Sequence, residues 1–86
     1  MTVRIRVRVK ELPVKQIGIN TPFIRLDALL KLADMVQSGG HAKLVIQGGE
    51  VKVNGDVCEL RGKKLRPGDR AQFNGTILEV VADTNA

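Results

Sequence analysis

The residues of this chain that could do chemistry are cations, and they fall in three places. Arg61, Lys63, Lys64 and Arg66 put four positive charges into the six residues Arg61-Gly62-Lys63-Lys64-Leu65-Arg66. Arg4, Arg6, Arg8 and Lys10 alternate with Val3, Ile5, Val7 and Val9. Lys31, Lys43 and Lys52 stand beside apolar stripes, Lys43 close after the break Ser38-Gly39-Gly40. Cations crowded in this way repel one another unless an anion is near, and the chemistry they offer is neutralisation of phosphate. A solvated charge run is the plainer reading of any one of them.

Other chemistry lacks its parts. His41 has no carboxylate or nucleophile near it in sequence, so a surface histidine is expected rather than a catalytic base. Cys58 is the single cysteine, which excludes an intrachain disulfide and a Cys-rich zinc site. It falls in an expected strand and reads as a small buried hydrophobe. Asp69 closes Pro67-Gly68-Asp69 and is expected to shape that turn through side-chain to backbone bonding. There is no nucleotide loop, metal-ligand cluster or nucleophile–base spacing. The expectation is a non-enzyme with no cofactor, no metal and no small-molecule substrate.

The charge balance bounds the partner. Fourteen Lys and Arg against nine Asp and Glu give a net charge of +5 in 86 residues. That favours nucleic acid or an anionic membrane surface, with solubility as the bland alternative. Phe23 and Phe73 are the only aromatics. Single-strand binders stack bases on aromatic rings, so a nucleic-acid role here would rest on backbone contacts and shape. No apolar run approaches a membrane span, and the N-terminus alternates charge with apolar residues, unlike a signal peptide. Together with the lone cysteine, this fits a reducing, cytoplasmic setting. The length suits one domain over residues 1–86.

These cations need a frame. Period-two alternation over Val3–Val9 predicts a strand with one basic face, either an edge strand guarding itself with charge or a phosphate contact. Pro13, Gly18 and Asn20-Thr21-Pro22 mark a connection, with a short extended piece at Val14–Ile19. Thr21-Pro22 could open helix one, or Phe23–Arg25 could finish a short strand and leave the helix to begin near Leu26. Leu26, Leu29, Leu30, Ala33 and Val36 share one helical arc, which extends the helix to the Ser38-Gly39-Gly40 break. Ser38 is the expected cap of a second helix, roughly Gly40 to Gln47, that buries Ala42, Val45 and Ile46 and ends at Gly48-Gly49. Val51 and Val53 alternate with Lys52 and Asn54, and Asn54-Gly55 signals a hairpin returning through Val57–Leu60. A second hairpin, Arg70–Phe73 with Thr76–Val81, turns at Asn74-Gly75.

Leu26-Asp27, Leu30, Ser38, Ala42-Lys43, Ile46, Gly49, Val51, Val53-Asn54-Gly55, Leu65 and Gly68-Asp69 follow one joint spacing. It resembles the S-four RNA-binding domain (the alpha-L motif), and is closest to its small stand-alone bacterial branch. The resemblance implies an α+β fold: two short helices packed on a small, mostly antiparallel sheet with β-hairpins, plus an extra N-terminal strand. Residues 1–22 would be the basic strand and connection, 23–81 the core, and 82–86 a frayed tail. It also implies a monomer that binds structured RNA, ribosomal RNA above all, and so associates with the ribosome. The binding face would be helix two, the first hairpin and the Arg61–Arg66 loop. On or near that face would lie Lys31, Ser38, Gly39, Gly40, His41, Lys43, Lys52, Asn54, Arg61, Lys63, Lys64 and Arg66. Many family members carry arginine directly after the serine, where this chain has Gly39. The alternative is a protein-interaction module of the β-grasp type without RNA binding. A sulfur-carrier role is unlike this sequence, because it needs a terminal Gly-Gly and the chain ends Asp83-Thr84-Asn85-Ala86.

Overall fold

A computed structural model describes residues 12–83. The strand expected over residues 3–9, with Arg4, Arg6 and Arg8, lies outside the described residues. The elements run β1 (Val14–Ile19), β2 (Ile24–Arg25), α1 (Leu26–Leu32), α2 (Gly39–Gln47), β3 (Val51–Val53), β4 (Asp56–Val57), β5 (Lys64–Leu65), β6 (Arg70–Phe73) and β7 (Thr76–Ala82). Five strands form one sheet in the order β1-β7-β6-β3-β4, and β2 pairs antiparallel with β5 in a second, two-stranded sheet. Among the described residues, only β1 with β7 is parallel. The architecture is the expected α+β arrangement of two helices on a mostly antiparallel sheet.

Alternation explains the layers. Val51 and Val53 of β3, Ala71 and Phe73 of β6, Leu78 and Val80 of β7, and Ile17 and Ile19 of β1 are all buried. They form one face of the sheet and pack in one cluster with Leu26, Leu29 and Leu30 of α1 and Ala42, Val45 and Ile46 of α2. The opposite face carries Val57, Lys52, Gln72, Ile77 and Val14 in one register row. No helix residue lines the depression on that face.

Both hairpins turn as Asn-Gly predicts. Asn54 and Gly55 have φ of 51° and 93°, and Asn74 and Gly75 have 52° and 79°, the positive pair a type I′ turn requires. Helix α2 ends in a Schellman motif: Glu50 N–H donates to the Val45 carbonyl and Gly49 N–H to Ile46, with Gly49 at φ 78°.

Several boundaries differ from the sequence expectation. Helix α1 stops at Leu32, well short of the Ser-Gly-Gly break. A second Schellman motif ends it, with Met35 N–H donating to Leu30 and Asp34 N–H to Lys31. Here an aspartate, at φ 62°, takes the left-handed position where glycine is the usual signal. Ala33 and Val36 are buried nonetheless, from the turn that follows. Strand β4 is only Asp56–Val57, so Cys58 lies beyond it and is half-buried against the core rather than enclosed in a strand. Lys64 and Leu65 of the expected basic loop form β5. Residue 82, expected in the frayed tail, belongs to β7, and the Asp83 N–H donates to the Ile19 carbonyl at 2.7 Å. Phe23–Arg25 supplies the short strand β2 and α1 begins at Leu26, the second of the two starts considered.

Candidate nucleic-acid interface

The basic loop is welded to the start of α1 by its own backbone. A helix begins with N–H groups that have no intrahelical acceptor. In α1 the Leu26 N–H donates to the Lys63 carbonyl at 2.8 Å and the Asp27 N–H to the Arg61 carbonyl at 3.1 Å. Ala28 N–H takes Asp27 Oδ1 at 2.8 Å. The loop closes on itself through Lys63 N–H to the Leu60 carbonyl. Its carbonyls thus point into the helix end, while Arg61, Lys63, Lys64 and Arg66 are all exposed. None of the four forms an ion pair among the described residues. The Lys64 ammonium sits 4.8 Å from the Phe23 ring centroid, a cation–π contact that leaves its charge at the surface.

The far side of the loop is fixed by a tight turn. Asp69 N–H donates to the Arg66 carbonyl, and Arg66 N–H donates to Asp69 Oδ2 at 2.8 Å. Pro67 precedes Gly68 at φ 102°, the signature of a type II turn. Asp69 therefore does the turn-shaping work its position predicts. A groove of about 460 Å³ runs between the first hairpin and the loop, lined by Asn54, Asp56, Val57, Cys58, Leu60 and Lys63 among others. The structure thus brings Asn54 and Lys63 to one groove, where Asp56 and Glu59 add negative charge that the basic count alone conceals.

Around the first turn of α2, Ser38 is the N-cap as expected. Its Oγ accepts the His41 N–H at 3.1 Å. His41 returns a bond of its own, its Nδ1 accepting the Gln37 N–H at 3.3 Å. This is the reciprocal logic of a capping box with histidine in the third position. Nothing lies within 4 Å of where a Cβ on Gly39 would sit, so the turn is open to solvent there. Lys43 is exposed on α2, and Lys31 is exposed in the last turn of α1.

Lys52 departs from the expected single wall, and Asn54, though on the groove with Lys63, has its amide committed within the protein. Lys52 projects from the helix-free side of the sheet, in a depression it shares with Arg70, Gln72 and Ile77. Lys43, by contrast, rises from the helical layer. Asn54 has both ends of its amide occupied, Nδ2 on Asp69 Oδ1 at 3.2 Å and Oδ1 on the Arg70 N–H at 3.0 Å.

Sequence reasoning overlooked two cations. Arg70 starts β6 and pairs with Glu79 at 3.5 Å. Arg25 is placed opposite Lys64 by the β2–β5 pairing. Its position directly before Leu26-Asp27, at the end of the expected short strand Phe23–Arg25, was the available signal.

Comparison with known proteins agrees with this architecture. A family model described as the S4 domain matches residues 17–81. A probable ribosome maturation protein, RlbA of Bacillus subtilis, is 46% identical over 59 residues, covering 69% of this chain and 83% of the relative. A putative RNA-binding protein, YbcJ of Escherichia coli, is 39% identical over 61 residues, covering 71% and 87% respectively. The solution structure of E. coli YbcJ, described as revealing an αL motif involved in RNA binding, superimposes with a TM-score of 0.59 at 32% identity. That match covers 93% of this chain and all of the other.

Proposed function

The chain belongs to the S4 domain family, and from that premise we propose that it is a non-catalytic protein that binds structured RNA, with ribosomal RNA as its target. The observation that carries the reading is the welded loop. Four exposed cations, without carboxylate partners among the described residues, ride on a backbone held by the first N–H groups of α1. Such a preorganised cationic ridge suits the phosphates of a folded RNA, because little ordering entropy is lost on contact. The two-aromatic composition supports shape and phosphate recognition over base stacking. Family membership favours this over the β-grasp docking module. On this reading the protein acts as a monomer in the cytoplasm, in association with the ribosome, and Lys43 and Lys31 flank the contact.

The test is binding to a labelled stem-loop of ribosomal RNA. Raising salt from about 50 to 200 mM weakens binding at least about tenfold if several phosphates are engaged. The triple variant R61A/K63A/K64A loses a similar amount while its denaturation midpoint stays near that of the parent. A folded triple variant with full affinity would refute the loop as the binding site.

A further inference from the structure

We propose that Arg25 is a fixed phosphate-binding fork belonging to the same surface as the basic loop; the inference rests on the RNA-binding reading and deepens it. One hydrogen-bonded ion pair holds the guanidinium, and one neighbour flanks it. Its Nη2 lies 3.1 Å from Asp27 Oδ2, and the other oxygen of that carboxylate is fixed by the Ala28 N–H. The neighbour is Gly62: a Cβ built there would stand 3.7 Å from Nη2 and 3.9 Å from Cζ and Nε, so the guanidinium lies beside the loop at the position that has no side chain. The strand pairing sets Lys64 opposite Arg25.

One edge of the guanidinium is thus tied down and the rest is presented. Nε, Nη1 and the second hydrogen of Nη2 have no acceptor among the described residues, so one forked edge that includes Nη2 stays open, and the side chain is 53% exposed. An ion pair this exposed contributes little to stability by itself. Its effect is to orient a planar donor set that matches two phosphate oxygens at once, which a lysine cannot do. The loop lysines supply point charges; Arg25 supplies direction.

The experiment compares R25K, R25Q and D27N with the parent and with R61A/K63A/K64A, using the same labelled ribosomal-RNA stem-loop across a salt series. R25Q should lower the slope of log affinity against log salt by about 0.7–0.9, the loss of one phosphate contact. R25K should restore the slope but remain about three- to tenfold weaker, because the charge returns without the fork. D27N, which keeps the Arg25 charge but releases its Nη2, should keep the parental slope. If R25Q keeps parental affinity and slope while the loop triple variant loses binding, the Arg25 role is wrong and the loop site stands. If R25Q and D27N weaken binding equally at unchanged slope, Arg25 only staples the loop to the helix, and the proposal is again wrong. No binding by the unaltered chain overturns the RNA reading and this proposal together.

Discussion

Asn54 Nδ2 donates to Asp69 Oδ1 at 3.2 Å, across fifteen residues of sequence, and joins the tip of the first hairpin to the turn that closes the basic segment. Both residues are doubly engaged. Asn54 Oδ1 also accepts the Arg70 N–H, and Asp69 Oδ2 accepts the Arg66 N–H. The hairpin turn and the Pro67-Gly68-Asp69 turn therefore hold a common geometry, with the loop cations mounted between them.

This pair predicts a graded response to substitution. Asn54→Ala places an alanine at φ 51° and deletes both amide bonds, so unfolding in urea should show a loss of about 1–3 kcal/mol. Asn54→Gly keeps the backbone conformation and should lose less. A double-mutant cycle of N54G with D69A should return a coupling of roughly 0.5–1.5 kcal/mol. Because the amide is already committed, folded N54G should retain RNA affinity within about twofold of the parent, measured by fluorescence anisotropy.

The two Schellman motifs give opposite outcomes. Asp34→Gly relieves a left-handed aspartate and should raise stability by up to about 1 kcal/mol, after the entropy cost of glycine. Gly49→Ala imposes the same strain at φ 78° and should lower stability by about 1–2 kcal/mol. Thermal unfolding of both variants side by side reads the difference in sign.

The cap of α2 should be separable from RNA binding. Ser38→Ala should cost about 1 kcal/mol, and Ser38→Gly only a few tenths. His41→Ala removes the return bond to Gln37 and should cost about 0.5 kcal/mol. Amide exchange at Gln37 and His41 should accelerate in the respective variants ahead of exchange in β6 and β7.

Lys52 tests the division between the two sides of the sheet. It lies with Arg70 on the helix-free face, whereas the loop is bonded to the start of α1. K52A should therefore weaken binding to the ribosomal-RNA stem-loop less than K63A does, and should leave the salt slope nearly unchanged. Parallel titrations of the two single variants decide it.

A surface bond on β1 offers a stability check outside the interface. Lys15 Nζ donates to the Ala33 carbonyl at 3.1 Å, at the end of α1 where a cation suits the helix dipole. Lys15→Met should lower the denaturation free energy by about 0.5–1 kcal/mol and leave RNA affinity unaltered.

Short-range chemistry made much of this protein readable from residues alone. Two Asn-Gly turns, the Ser38 cap, the Gly48-Gly49 stop and the buried helical positions Leu26, Leu29 and Leu30 each depend on neighbours within a few positions, and each is found as expected. So is the concentration of charge between Arg61 and Arg66, since charge needs no fold to be counted. Pairing at long separation was different. Only the folded sheet sets β1 parallel against β7, more than sixty residues away in sequence, and only β2–β5 pairing sets Arg25 against Lys64. The end of α1 at Asp34 was hidden because an aspartate occupies a glycine's usual place, with Met35 N–H bonded back to Leu30 and the Lys15 ammonium on the Ala33 carbonyl. Alternation told which residues of β3 share a face, but not which face the helices would cover. That choice belongs to packing, because burying Val51 and Val53 beneath α1 and α2 leaves Lys52 on the other side.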